Sequence, residues 1–131
     1  MKLIHNFYYK LSLMNYLNKN SIFILLSLFI FNACQDQAEL TMERGIQYYE
    51  WNKFDLAILE FKKVVHLLSD KNQNMDYEQI RLLSQAHHNL SISYSKKGWN
   101  QEAETEAQKA FDLVPSSENR TVLELLQEQS K

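Results

Sequence analysis

Breakers of regular structure are scarce in this chain, whose 131 residues include two glycines and one proline. Turns are therefore few, and helix is favoured over most of the length. Gly98 and Pro115 both fall within Ser84 to Ser117, SQAHHNLSISYSKKGWNQEAETEAQKAFDLVPSS, and they divide that stretch. Leu90, Ile92 and Tyr94 put bulk into its first half, and Lys97-Gly98-Trp99-Asn100 interrupts the pattern. The second half carries the small residues Ala103, Ala107 and Ala110, with Phe111 and Leu113 following. These spacings of three, four and seven belong to one face of a 3.6-residue helix. Gly98 suits a helix C-cap, Asn100 is placed to cap the next helix, and Pro115 ends it. The stretch reads as a helical hairpin.

A second stretch repeats the pattern. Ala38 to Lys71 reads AELTMERGIQYYEWNKFDLAILEFKKVVHLLSDK and, like the first, is 34 residues long. Both are similar to the tetratricopeptide repeat, whose period is 34. In the later copy the matching residues are Asn89-Leu90, Tyr94, Gly98, Ala103, Ala110 and Pro115, with Trp99 one place early and Ser91 where glycine or alanine is usual. In the earlier copy they are Gly45, Tyr48, Phe54, Ala57 and Phe61. There Val64 replaces the late alanine, Ser69 stands in the place of Pro115, and Asn52 takes the turn position of Gly98. Gly45 is expected to let the paired helix approach closely, with Ala57 at the crossing and Tyr48, Phe54 and Phe61 around it. The resemblance implies an all-α fold, a short solenoid of two hairpins at 38–71 and 84–117 within a domain over 38–131.

The copies start 46 residues apart, so twelve residues, Asn72 to Leu83, are inserted between them. Lys71-Asn72-Gln73-Asn74 reads as loop, and Asp76 with Gln79 forms a capping-box pattern. Ile80, Leu82 and Leu83 then continue into the repeat, which predicts one long helix from about Tyr77 to Lys97. Beyond Pro115, Ser116-Ser117 offers an N-cap for a helix over 118–130, with Val122, Leu125 and Leu126 on one face and Leu123 beside it. A polar-backed helix there would close the end of the array.

The start of the chain has a different character. No acidic residue precedes Asp36, whereas Lys2, Lys10 and Lys19 do. All 16 acids and 11 of the 14 bases follow Cys34, leaving that part at about −5, no basic footprint for nucleic acid. Lys19 precedes the apolar run Ile22 to Phe31, which is short of the roughly 20 residues a membrane span needs. It fits the apolar region of a secretory signal over 1–34. A start at Met14 leaves a compact signal, and translation is expected from there. Cys34, the single cysteine, stands where the run stops. Phe31-Asn32-Ala33-Cys34 resembles the lipobox of bacterial lipoproteins, with Ala33 fitting and Phe31 and Asn32 departing from the usual residues. That resemblance implies lipidation at Cys34, with 35–37 as a tether. A free thiol, or cleavage nearby by an ordinary peptidase, is the alternative. Gln35 rather than Asp after the cysteine favours the outer membrane under the lipoprotein sorting rule.

Few residues offer chemistry. His87 and His88 are adjacent and point about 100° apart on a helix, so they do not share a metal as an i,i+4 pair would. His66 lies near a helix end, where the dipole favours it. Glu102, Glu104 and Glu106 read as a solvated face. Ser91 and Ser93 lack an elbow or a partnered base, and no glycine-rich phosphate loop occurs. Nothing points to an enzyme, a cofactor, a metal or a small-molecule substrate.

What the family resemblance implies is a protein-binding role. Its members bind peptides or helices on a concave surface lined by each repeat's first helix. Here those positions are Met42, Glu43, Ile46, Tyr49 and Glu50, then His88, Asn89, Ile92, Ser95 and Lys96. Asn89 matches one place of the family's carboxylate clamp, but Met42 and Ile46 stand where Lys and Asn are required. The expected groove is mixed apolar and acidic, suited to an amphipathic or basic segment. With a lipidated start, immediate repeats and a long helix after an insertion, the chain resembles a shortened BamD-type lipoprotein. That implies a place on the periplasmic face of the outer membrane and a partner in the barrel-forming assembly protein. A scaffold in another envelope complex, of cell-wall or secretion machinery, is the alternative.

Overall fold

A computed structural model of the chain describes residues 33–69 and 75–129, with side chains from Gln37 onward. The targeting segment expected over 1–34, the lipidation of Cys34 and the loop at 71–74 lie outside what it describes. The described residues form five helices: α1 (Ala33–Glu50), α2 (Phe54–Ser69), α3 (Tyr77–Lys96), α4 (Asn100–Leu113) and α5 (Ser117–Gln129). The fold is all-helical, with no strand among the described residues. None of these helices is long and apolar enough to cross a membrane. Contacts separate Met1–Asp36 from Gln37–Lys131, and the second unit holds the array.

Helix α3 is the shared member. It packs on α2 and on α4 and also reaches α5, while α4 packs on α5. Its start is the expected capping box: Asp76 Oδ1 accepts from the Gln79 amide at 2.8 Å, and Gln79 Oε1 accepts from the Asp76 amide at 3.2 Å. Twelve inserted residues therefore do lengthen this helix at its N-terminal end.

Both hairpins turn in the same way, at positions 46 apart. In the first, the Lys53 amide donates to the Tyr48 carbonyl and the Asn52 amide to Tyr49, both at 2.9 Å. In the second, the Trp99 amide donates to Tyr94 and Gly98 to Ser95, both at 3.0 Å. Asn52 at φ 56° and Gly98 at φ 75° supply the left-handed residue. Each turn is thus a Schellman motif, satisfying helix-end carbonyls that would otherwise be unpaired. Trp99, the residue beyond the turn, lies with its ring centroid 5.5 Å from that of Tyr94, the hydrophobic contact that accompanies the motif.

Two expectations need correction. Asn100 does not cap α4; it is the first helical residue, and the N-cap is Trp99 with no side-chain hydrogen bond. Closure of the Schellman turn at Trp99 starts the new helix at once and leaves no separate capping residue. On α5 the buried pair is Leu123 and Leu126, whereas Leu125 is 53% exposed; the helix is rotated so that Leu123 meets the core. Ser116 does cap α5, accepting from the Asn119 amide at 3.1 Å. Val114 is extended at φ −138°, the geometry proline imposes on the residue before it.

The close approach expected at Gly45 is observed. A Cβ on Gly45 would lie 2.5 Å from an atom of the Phe61 ring, and Phe61 is itself fully buried. The corresponding pair one repeat later is Ser91 and Ala107, both buried, so one hairpin uses a ring against no side chain and the other two small residues. In an exposed helix Gly→Ala would gain about 1 kcal/mol. Here overpacking against the ring outweighs that gain, so Gly45→Ala is expected to destabilise by about 1–3 kcal/mol. In a Phe61→Ala background, itself costing about 3–5 kcal/mol, the same Gly45 change should become neutral or stabilising. Urea midpoints of the two singles and the double check this; a Gly45→Ala effect of the same sign and size in both backgrounds would contradict it.

Candidate binding groove between α3 and α5

Along α3 runs a stripe at three- and four-residue spacing, buried at His88 and more open elsewhere: Arg81, Gln85, His88 or Asn89, Ile92, and Ser95 or Lys96. Helix α5 runs beside it, offering Glu118, Asn119, Val122 and Leu125 at the same spacing. Two cavities lie along this seam. One, of about 300 Å³, is lined by Arg81, Gln85, His88, Asn89, Glu118 and Asn119 among others. The other, of about 490 Å³, is lined by Ile92, Ser95, Lys96, Val122, Leu125 and Leu126, with Gln129 at its end. The first is lined mainly by polar and charged side chains, and the second mixes four apolar side chains with Ser95, Lys96 and Gln129.

Asn119 holds the seam together. Its Nδ2 donates to Ser84 Oγ at 3.1 Å, to the Ala110 carbonyl at 3.2 Å and to the Val114 carbonyl at 2.8 Å. Two of these partners are carbonyls that only accept, so the amide nitrogen must face them and Oδ1 must face His88. His88 Nδ1, 2.9 Å from that oxygen, is therefore the nitrogen carrying the hydrogen. Its Nε2 faces Glu118 Oε1 at 3.6 Å, on the cavity side. Ser84 Oγ also donates to the Ala110 carbonyl, at 2.8 Å. One buried side chain thus ties the end of α4 and the start of α5 to α3. No buried side-chain polar atom among the described residues lacks a partner.

A second buried polar contact lies on the other side of α3. His87 Nδ1 donates to Glu106 Oε2 at 2.5 Å, and Lys109 Nζ donates to Glu106 Oε1 at 2.8 Å. Glu106 is therefore not part of a solvated face. Burial pushes its carboxyl upward, but the hydrogen bonds and charges of His87 and Lys109 outweigh burial and hold it below the ordinary carboxylate range. The first hairpin repeats the arrangement 46 residues earlier, where buried Glu60 accepts from Lys63 at 2.6 Å and from Arg44 at 3.3 Å. The Glu-x-x-Lys pair recurring at Glu60-Lys63 and Glu106-Lys109 was the signal in the sequence that could have revealed both.

The expected concave residues divide. His88 and Asn89 come together in the first cavity, and Ile92, Ser95 and Lys96 in the second. None of the α1 positions lines either cavity. Met42 is buried and accepts from Asn89 Nδ2 at 3.5 Å. Ile46 packs against the core, and Tyr49 lies edge-on to Phe54 with centroids 5.4 Å apart. Glu43 and Glu50 are exposed on α1. Sequence reasoning missed Glu118, Asn119, Val122 and Leu125 as groove residues, because α5 read as a cap; their helical spacing was the available signal. Ser91 and Ser93 donate to the carbonyls of His88 and Asn89, both at 2.7 Å. No group of three metal-ligating side chains occurs among the described residues. Comparison with protein-family models returns no match, and no curated protein matches the chain.

The Glu106 contact has a pH signature. Its folded carboxyl titrates below the unfolded range near 4.3, so its contribution is complete above that range and is lost as pH falls through the lower folded value. Glu106→Gln should cost about 1–3 kcal/mol at pH 7, the size of a buried charge-assisted contact. The gap between wild type and variant should shrink as denaturation is followed downward from pH 5. A gap that stays constant over that interval would count against it.

Proposed function

We propose that this chain is a non-enzymatic, lipid-anchored adaptor of the bacterial cell envelope that holds a segment of a partner protein against α3. In the narrower form of this reading it is a BamD-like accessory subunit of outer-membrane β-barrel assembly. The observation that carries the adaptor role is the seam between α3 and α5, where Ile92, Val122, Leu125 and Leu126 border an open cavity of about 490 Å³ that Ser95, Lys96 and Gln129 also line. Leu125 is a large apolar side chain left half exposed at the groove edge, where it costs stability nothing to move and gains contact when a partner arrives. An amphipathic segment placing apolar side chains at i and i+3 or i+4 could seat them there and leave its polar side for Lys96 and the polar cavity. The acidic outer side of α1, with Glu39, Glu43 and Glu50, favours basic residues on whatever passes alongside. The anchor half of the reading is supported by Cys34 at the end of the apolar run, and the narrower form by the long α3 following an insertion.

Two hairpins and one helix make a small array, and a partner that binds only the folded state adds stability by mass action. Leu125→Asp should leave the melting temperature nearly unchanged, since the side chain faces solvent, but weaken partner recovery about tenfold or more. Affinity purification from detergent-solubilised membranes, run on wild type and variant, tests this. Recovery of a barrel-forming assembly protein that Leu125→Asp loses supports the narrow form. Recovery of a different envelope complex removes that form and leaves the adaptor, while equal recovery by both proteins removes the groove. Cys34→Ala should abolish acyl labelling and release the protein from membranes, and unchanged labelling would sink the anchor.

A further inference from the structure

Asn119 fixes more than the seam. With its amide nitrogen turned to the Ala110 and Val114 carbonyls, its oxygen takes the hydrogen of His88 Nδ1 at 2.9 Å. In the neutral ring the lone pair is then held on Nε2. His88 is 9% exposed, and it lines the cavity of about 300 Å³ together with Glu118. The Glu118 carboxylate stands 3.6 Å from Nε2, beyond ordinary hydrogen-bond reach. Two acceptors thus converge in the cavity, and neither can donate to the other.

The surrounding charges leave that pair in control. Arg81 lines the cavity too, but Glu78 holds its guanidinium, at 2.9 Å from Nε and 2.7 Å from a terminal nitrogen. The N-terminus of α5 opens on the same side and carries about half a positive charge. Glu118, in the first turn of that helix, exceeds it with a full negative charge. Gln85, Asn89, Ser84 and Ser116 are neutral. The second cavity has the opposite character, because the charged side chain lining it is Lys96.

We infer that the first cavity seats a basic side chain of the bound partner, whose N–H groups bridge His88 Nε2 and the Glu118 carboxylate. The inference rests on the reading that a partner segment lies along the seam, and it names what that segment must carry. An ammonium or guanidinium donates to both acceptors and balances the carboxylate. A hydroxyl or amide would satisfy the ring and leave the charge, while a carboxylate would meet two acceptors. Position along the seam follows from the helices. His88 contacts Asn119, and Ile92 shares the second cavity with Val122, so α3 and α5 run in the same direction. His88 precedes Ile92 by one helical turn and Glu118 precedes Leu125 by two, which is about 6–10 Å. A helical partner therefore carries its base one to two turns from its apolar pair. Placed beside the second cavity instead, the base would meet the like charge of Lys96.

The test titrates the full chain, in detergent, with fluorescent helical peptides carrying leucines at i and i+4. One peptide has a lysine roughly six residues before that pair, a second has it roughly six after, and matched controls replace the lysine by glutamine or glutamate. Anisotropy should show one lysine peptide binding about fivefold or more tighter than its glutamine control. Glu118→Gln should remove that gain; the side chain is 79% exposed, so the fold does not depend on it. His88→Gln should reduce the gain, with a circular dichroism melt showing that the variant folds. In nitrogen spectra of the histidines, the His88 Nε2 signal should be that of a bare ring nitrogen in the free protein. It should move when the lysine peptide binds, a response that a merely structural histidine would not give. No gain from lysine, a gain surviving Glu118→Gln, tighter binding of the glutamate peptide, or an unmoved Nε2 signal overturns the inference. So does butylammonium alone reproducing the shift at micromolar concentration, which would make the cavity a site for free amines. Peptide binding that Leu125→Asp abolishes, without a lysine gain, removes the inference and leaves the groove. Absence of binding by every peptide removes both.

Discussion

A helix that packs against neighbours on three sides cannot carry bulk on all of them, and α3 is built around that constraint. Ser84, Ala86, Ser91 and Ser93 are almost fully buried along it, letting α2, α4 and α5 come close. Serine in a helix interior is neutral to unfavourable, and a buried hydroxyl without a partner would cost more. Each of these three hydroxyls donates to a carbonyl, two within α3 and one at the end of α4. Leu83, Leu90 and Tyr94 then supply the bulk at the positions that face the hydrophobic core. The other helices are arranged around what α3 allows.

The polar contacts that fix the arrangement are shared unequally between the hairpins. Both place a glutamate on the second helix, buried at Glu60 and partly buried at Glu106, with a lysine one turn later, but its partner on the first helix is Arg44 in one case and His87 in the other. Asn119 has no counterpart among the described residues of the first hairpin. It serves as the C-terminal cap of α4, the positioning contact for His88 and the tie that holds α5, so the closing helix is specified by hydrogen bonding as much as by Leu123 and Leu126. That combination leaves Leu125 facing the seam, with Val122 between the seam and the core. The groove is therefore a product of how α5 is rotated.

Most of the backbone architecture was legible from residue patterns. Asp76 with Gln79 located the start of α3, Gly98 and Asn52 located the turns, and Pro115 located the end of α4, each because a single backbone geometry demands that residue type. The glycine at position 45 announced a close crossing, and a ring fills it. Less legible were features that depend on two helices at once. Glu106 looked like one of three glutamates on a wet face, until His87 and Lys109 closed over it. Asn100 looked like a cap, but the turn before it left no room for one.

Local chemistry in the sequence was sufficient to determine an all-helical chain, the ends of its helices, the common form of its two turns and the equivalence of positions 46 apart. Those properties rest on hydrogen bonds and apolar spacing within about ten residues, which a linear reading captures. The tertiary structure alone decided which side of α1 meets α3, burying Met42 that the linear pattern offered as surface. It also decided that α5 shares the groove. Each of these depends on the rotation of one helix about its axis against another. A repeating pattern of apolar residues leaves that angle open to within a residue or so, and only packing in three dimensions chooses among the options.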